Sequence, residues 1–228
     1  MKKEDRKLLI YLGVIFLALV LHHPLPHDSY SILRYAVSPI QTGNSTFFLD
    51  SIITLILLMI GISGLLDNER LRRRFKSFRL LFILFILIPL MGLFIDFARI
   101  SYHSIVRDGI SSVDIIDSDI TLTQINGTAS VNINLDLKNY SVFAQKFGIR
   151  IYLPKSLSQY TGKDYYEFNT EYRIANYFEK MYIGGTFPIA EPNTEVPNRL
   201  PPGNWQYEDV KYELFHDGRT ITVIRHGS

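Results

Sequence analysis

Three apolar runs occupy the first hundred residues, and after them the chain switches to a two-residue alternation of apolar and polar side chains. The first run, Leu8–Leu21, is 14 residues without a charge. At about 1.5 Å per residue it covers roughly 21 Å, less than the roughly 30 Å of a hydrocarbon core. Arg6 and Lys7 can snorkel at one end, and His22-His23 can sit at headgroup level at the other. Basic residues before an apolar run also fit a signal peptide. No small-residue cleavage pattern follows in HHPLPHDS, however, so the run reads as an uncleaved anchor.

The second run, Phe47–Leu66, and the third, Leu80–Phe97, are long enough to span, each with one acid near an end (Asp50 and Asp96). Pro89 removes one backbone hydrogen bond from the third and predicts a kink there. The expected architecture is a membrane domain, residues 1–104, with transmembrane helices at about 8–23, 46–66 and 79–98.

Charge gives these helices a direction. Residues 1–99 carry 12 Lys and Arg against 7 Asp and Glu, whereas residues 100–228 carry 12 against 15. Positive charge sits in the tail (Lys2, Lys3, Arg6, Lys7) and in loop 67–79 (Arg70, Arg72, Arg73, Arg74, Lys76, Arg79). Residues 22–46 hold only Arg34. Basic segments stay on the cytoplasmic side, so the tail and loop 67–79 are expected inside and residues 105–228 outside a plasma membrane. Were loop 67–79 helical, Leu71, Phe75 and Phe78 would form an apolar edge among arginines that attract anionic headgroups.

From about Ser111 the alternation predicts strands. Ala129, Val131, Ile133, Leu135 and Leu137 alternate with polar residues, and Phe147, Ile149, Ile151 and Leu153 repeat the pattern after a turn at residues 138–141. Ile120 and Leu122 suggest an earlier strand. Val210–His216 and Arg219–Arg225 flank Asp217-Gly218, a hairpin signal because a type I′ turn needs positive φ at both central residues. Thr170–Lys180 is a candidate short helix, and Pro188, Pro192, Pro197, Pro201 and Pro202 mark a loop or extended stretch. Several short strands between turn signals point to an extracytoplasmic antiparallel β-sandwich of immunoglobulin-like size.

Candidate chemistry is sparse. The chain has no cysteine, which excludes disulfides, thiolate metal sites and cysteine nucleophiles. His22, His23, His27 and Asp28 are the one histidine cluster, but Pro24 and Pro26 prevent helical pairing, so no metal site is expected. His216 and His226 flank the last strand at opposite ends. Asp96 has Arg99 three residues on as a possible partner, and Asp50 lies close enough to a helix end to reach water. No catalytic motif, phosphate loop or cofactor signature occurs, and a short loop pinned at both ends offers no track for nucleic acid.

Tyrosines Tyr160, Tyr165, Tyr166, Tyr172 and Tyr177 form the candidate partner surface, since tyrosine combines a large apolar face with a hydroxyl. Three glycosylation sequons begin at Asn44, Asn126 and Asn139, all on the expected outer side; the composition is that of a bacterial envelope protein, in which they would be silent. The expected function is non-enzymatic. The lipid bilayer and an outer protein or cell-envelope ligand are the partners. The alternatives are an accessory subunit of a transport or signalling complex and an envelope-polymer hydrolase.

Overall fold

The computed structural model describes residues 3–42, 45–75, 78–107, 109–125, 128–177, 179–189 and 208–226. The chain divides into two compact units, one of residues 1–25 and 30–98 and the other of residues 26–29 and 99–228.

The first unit is helical: α1 (Lys3–His22), α2 (Ile32–Ala36), a small hairpin of β1 (Ile40–Thr42) and β2 (Ser45–Phe47), α3 (Leu49–Leu66), α4 (Glu69–Phe75) and the start of α5 (Arg79–Val106). Two of these helices, α3 and α5, are long and apolar enough to cross a membrane. The expectation of three such helices is corrected to two by that criterion. The first turns of α1 are spent on Lys3, Glu4, Asp5, Arg6 and Lys7, which leaves the short apolar segment already noted. The helix α5 is continuous, with a π-type stretch at Ile83–Leu87. That stretch spans Phe85, whose carbonyl an amide at position 89 would have bonded, so Pro89 is accommodated by widening the preceding turn.

Helices α1 and α3 pack closely because two glycines remove bulk between them. A Cβ on Gly61 would lie 2.5 Å from the Ile15 side chain, and one on Gly64 would lie 2.2 Å from the Tyr11 ring. Ile15, Leu65 and Ile83 form the centre of this unit's core. Asp50, expected to reach water, is buried instead and is held by Arg34, Nε to Oδ2 at 3.2 Å. The guanidinium of Arg34 also lies over the rings of Tyr30 and Phe48. On the α4 side, Arg72, Arg73 and Arg74 are exposed and Arg73 pairs with Glu69, an i,i+4 contact. Arg70 belongs to the same helix, and Arg79 donates to the Leu66 carbonyl. Leu71 and Phe75 pack inward while Phe78 is exposed; Lys76 lies outside the described residues.

The second unit holds two antiparallel sheets over a common core. One has three strands in the order β3 (Val113–Ile125), β4 (Thr128–Asn139), β8 (Lys180–Pro188). The other runs β10 (Arg219–Arg225), β9 (Val210–His216), β5 (Gln145–Tyr152), β6 (Tyr165–Glu167), with β7 (Tyr172–Ile174) also paired to β5. The alternating residues expected inside are inside: Ala129, Val131, Ile133, Leu135 and Leu137 on β4, and Phe147, Ile149 and Ile151 on β5. Ring contacts of Phe187 with Tyr166 at 4.4 Å and Phe168 at 5.2 Å join the two sheets. Asp217 and Gly218 have φ of 46° and 76°, the double positive φ of the expected type I′ turn.

Two expectations are corrected here. Residues 172–174 are strand rather than helix, because their backbone groups pair with residues 145–147 at the free edge of β5; the short helix of this region is α6 (Lys155–Thr161). Arg99 pairs with Asp114, not with Asp96. The Asn139 sequon is unavailable to any modifying enzyme in the folded chain. The amide is fully buried, accepting from Ser141 N and Ser112 Oγ and donating to the Phe143 and Ala175 carbonyls. Asn44, Asn126, Pro192, Pro197, Pro201 and Pro202 lie outside the described residues.

The segment Pro26–Ser29 extends the larger sheet at the free edge of β10. Ser29 N donates to the Ile224 carbonyl at 3.1 Å, Ile224 N donates to the His27 carbonyl at 2.9 Å, and Asp28 bridges Ile224 in parallel register. His27 takes a left-handed φ of 62° to do so. Its backbone N–H donates to Asp114, and its ring Nε2 lies 3.0 Å from the Ser111 carbonyl. His226 lies 3.3 Å from Asp28 and 3.1 Å from Asp209.

Candidate recognition face and cleft

Strand alternation leaves one face of the larger sheet turned away from the core, and its side chains can be read off the register. Arg150 stands opposite both Glu167 of β6 and Glu213 of β9, while Tyr152 stands opposite Tyr165 and Lys211. Gly148 stands opposite Phe215. These eight residues form one connected surface. Arg150 donates to Glu167 at 2.8 Å and to Glu213 at 3.4 Å, the Tyr152 hydroxyl donates to Glu213 at 2.9 Å, and Lys211 lies 2.9 Å from Glu213. The Arg150 guanidinium lies over the Tyr165 and Phe215 rings, and Lys211 over the Tyr152 ring.

This electrostatic order fixes the charge states. The hydrogen bond from Lys211 holds the Glu213 carboxyl below the usual carboxylate range, and Glu213 in turn raises Lys211. The hydrogen bond with Glu167 raises Arg150 further above its ordinary value. Arginine and the aromatics of this face are types enriched in protein interfaces, lysine and glutamate types depleted there, and here the charged groups are mutually paired. Being paired in advance, they lose less freedom on meeting a partner.

At the Gly148 end the face opens into a cleft of about 410 Å³, lined by Gly148, Glu167–Glu171, Phe215, His216 and Asp217. Its origin is a register slip. Strand β6 pairs Glu167 with Arg150, while β7 pairs Tyr172 with Phe147 on the same edge of β5. Across that interval the outer strand has two more residues than β5, and Asn169 and Thr170 bulge out of the edge. Gly148 supplies the matching recess, since a Cβ there would meet the Phe215 ring at 2.4 Å. His216 sits between two carboxylates, Nδ1 at 3.2 Å from Glu171 and Nε2 at 3.2 Å from Asp217. A bulge of this kind also blunts a sheet edge against unwanted pairing.

The five tyrosines of the candidate partner surface do not act together. Tyr165 is exposed and belongs to the outward face of the larger sheet. Its neighbour Tyr166 points the other way, into the core, as strand alternation requires, and burial raises its pKa. Tyr160 is buried on α6. Tyr172 is half-buried against Phe147 and Phe168, and Tyr177 is half-buried in the turn after β7. Tyr160 and Tyr166 therefore leave the partner surface and join the packing. Tyr152, Arg150, Glu213 and Phe215 were not singled out from the sequence, although their positions on the polar side of two alternating strands carried the signal.

A smaller hollow of about 220 Å³ on the three-stranded sheet is lined by Asp117, Ser118, Asp119, Asn134, Asp136 and Tyr182. Among the described residues no group of three or more histidine or acidic side chains is placed to hold a metal ion. The histidine cluster of residues 22–28 is not one site: His27 is engaged with Asp114 and Ser111, and Asp28 with His226. No protein-family model matches the chain, and no curated protein sequence matches it.

Proposed function

We propose that the chain is a multi-pass plasma-membrane protein of the bacterial envelope. In this reading it holds an extracytoplasmic β-sandwich of immunoglobulin-like size that binds a protein or cell-envelope partner, without catalysis. The observation that carries the binding reading is the outward face of the larger sheet, with its pre-paired Arg150, Glu167 and Glu213 framed by Tyr152, Tyr165 and Phe215.

Membrane placement rests on α3 and α5, and connectivity supports its direction. With both helices as spans, residues 26–29 and the β unit emerge on one side of the bilayer, as the bonds of His27 and Ser29 to Ile224 require. The arginines of α4 then lie on the other side.

The binding reading is tested by placing a photocrosslinking residue at Tyr165 in cells. A discrete crosslinked partner is expected from that position. Crosslinks that instead gather at Tyr182, on the other sheet, count against this face.

A further inference from the structure

We infer that the cleft receives the cationic side chain, ammonium or guanidinium, of a basic peptide segment, an inference that rests on reading the outward sheet face as the partner surface. The cleft combines what such a group needs. Three carboxylates line it (Glu167, Glu171 and Asp217), against one imidazole, and the Phe215 ring supplies aromatic surface. A cation gains from both, by charge-assisted hydrogen bonds and by attraction to a ring face.

The protein itself shows the arrangement one register pair away. There its own Arg150 guanidinium is held by Glu167 at 2.8 Å and lies 5.6 Å from the Phe215 centroid. Glu171 has a 3.2 Å contact with the His216 imidazole and a 3.7 Å contact with Lys146, and the Glu171 and Lys146 side chains are both more than half exposed. Exposed pairs of this kind hold weakly, so an incoming cation displaces Lys146 at little cost. The open, two-residue bulge suits a side chain projecting from an extended peptide better than an enclosed small molecule. Gly148 is the steric key, because any larger residue lifts the Phe215 floor.

The test uses the full chain in phosphatidylcholine nanodiscs, titrated with acetyl-Gly-Lys-Gly-amide and with the same peptide acetylated on Nζ. The readouts are the His216 imidazole and Phe215 ring NMR signals. Saturable shifts are expected with the lysine peptide alone. The double variant Glu171→Gln/Asp217→Asn should weaken that binding about tenfold or more. Asn preserves the type I′ turn, and unchanged amide exchange at Ile149 and Leu214 shows that the sheet is intact.

Shifts of equal size with both peptides, no saturable shift, or wild-type affinity in the double variant each overturn the cationic assignment. A photocrosslinker at Thr170 in cells separates this failure from that of the face. Capture of a partner through an acidic or neutral segment overturns the ligand class alone. Crosslinks confined to Tyr182 remove both readings.

Discussion

Arg99 and Asp114 meet at 2.6 Å, joining the end of the last long helix to the first strand of the β unit. Both side chains are largely buried, and Arg99 also lies 3.7 Å from the Tyr140 ring centroid. Asp114 has a second duty, accepting the His27 N–H. Removing one member of a buried pair strands the other charge, at a cost of about 3–5 kcal/mol, whereas replacing both with apolar residues is often neutral. Asp114→Ala should therefore lower the unfolding midpoint sharply in micelles, and Arg99→Met/Asp114→Leu should recover most of it. A single variant as stable as the parent contradicts the linkage.

The same junction gives a pH dependence. Burial lowers the His27 pKa below its ordinary 6.5, with Arg99 and His103 adding to the effect while Asp114 and the Ser111 carbonyl oppose it. The unfolded chain thus binds the proton more readily than the folded one. The sheet extension is fully stable above about pH 6.5 and loses stability as pH falls through that value towards the lowered folded pKa. Amide exchange at Ser29 and Ile224 should accelerate selectively below pH 6.5, and His27→Gln should flatten that response. His226, flanked by Asp28 and Asp209, faces the same segment and must be kept intact in the comparison.

Asn139 ties three segments with four hydrogen bonds and no exposed surface. Asn139→Ala leaves the Ser141 N–H and two carbonyls short of partners, at about 1–3 kcal/mol for an unsatisfied buried group. Thermal unfolding should show that loss, and Asn139→Asp should not rescue it, because a carboxylate cannot donate to the Phe143 and Ala175 carbonyls.

Gly64 faces the Tyr11 ring with no room for a side chain. Gly64→Val should push α1 off α3 and cost about 1–3 kcal/mol by overpacking. Gly13, whose added Cβ would meet nothing within 4 Å, is the control: Gly13→Ala should leave stability unchanged or raise it. Detergent melting curves of the two variants decide the point.

Local patterns were legible and long-range pairings were not. The Asp217-Gly218 turn and the inward sets of β4 and β5 follow from backbone chemistry within a dozen residues, so alternation alone revealed them. The outward face of the larger sheet depends on β5 meeting β9 some sixty positions later and on β6 and β7 sharing one edge. Nothing local to Arg150 announces Glu213. Tyrosine content pointed to the right stretch but could not tell Tyr165 from Tyr166, since one step of register decides which faces water. Asp50 and Asp96 looked alike by depth in their helices; the pairing of Asp50 with Arg34 of α2, sixteen residues earlier, is what sets the buried Asp50 apart.

Because the chain lacks cysteine, its topology is open to a clean measurement by single-cysteine labelling with a membrane-impermeant maleimide on intact spheroplasts. Tyr182→Cys should label at once, while Arg73→Cys should label only after lysis. Labelling of Arg73→Cys on sealed spheroplasts, or protection of Tyr182→Cys until lysis, contradicts an outward-facing β unit carried by membrane-spanning helices.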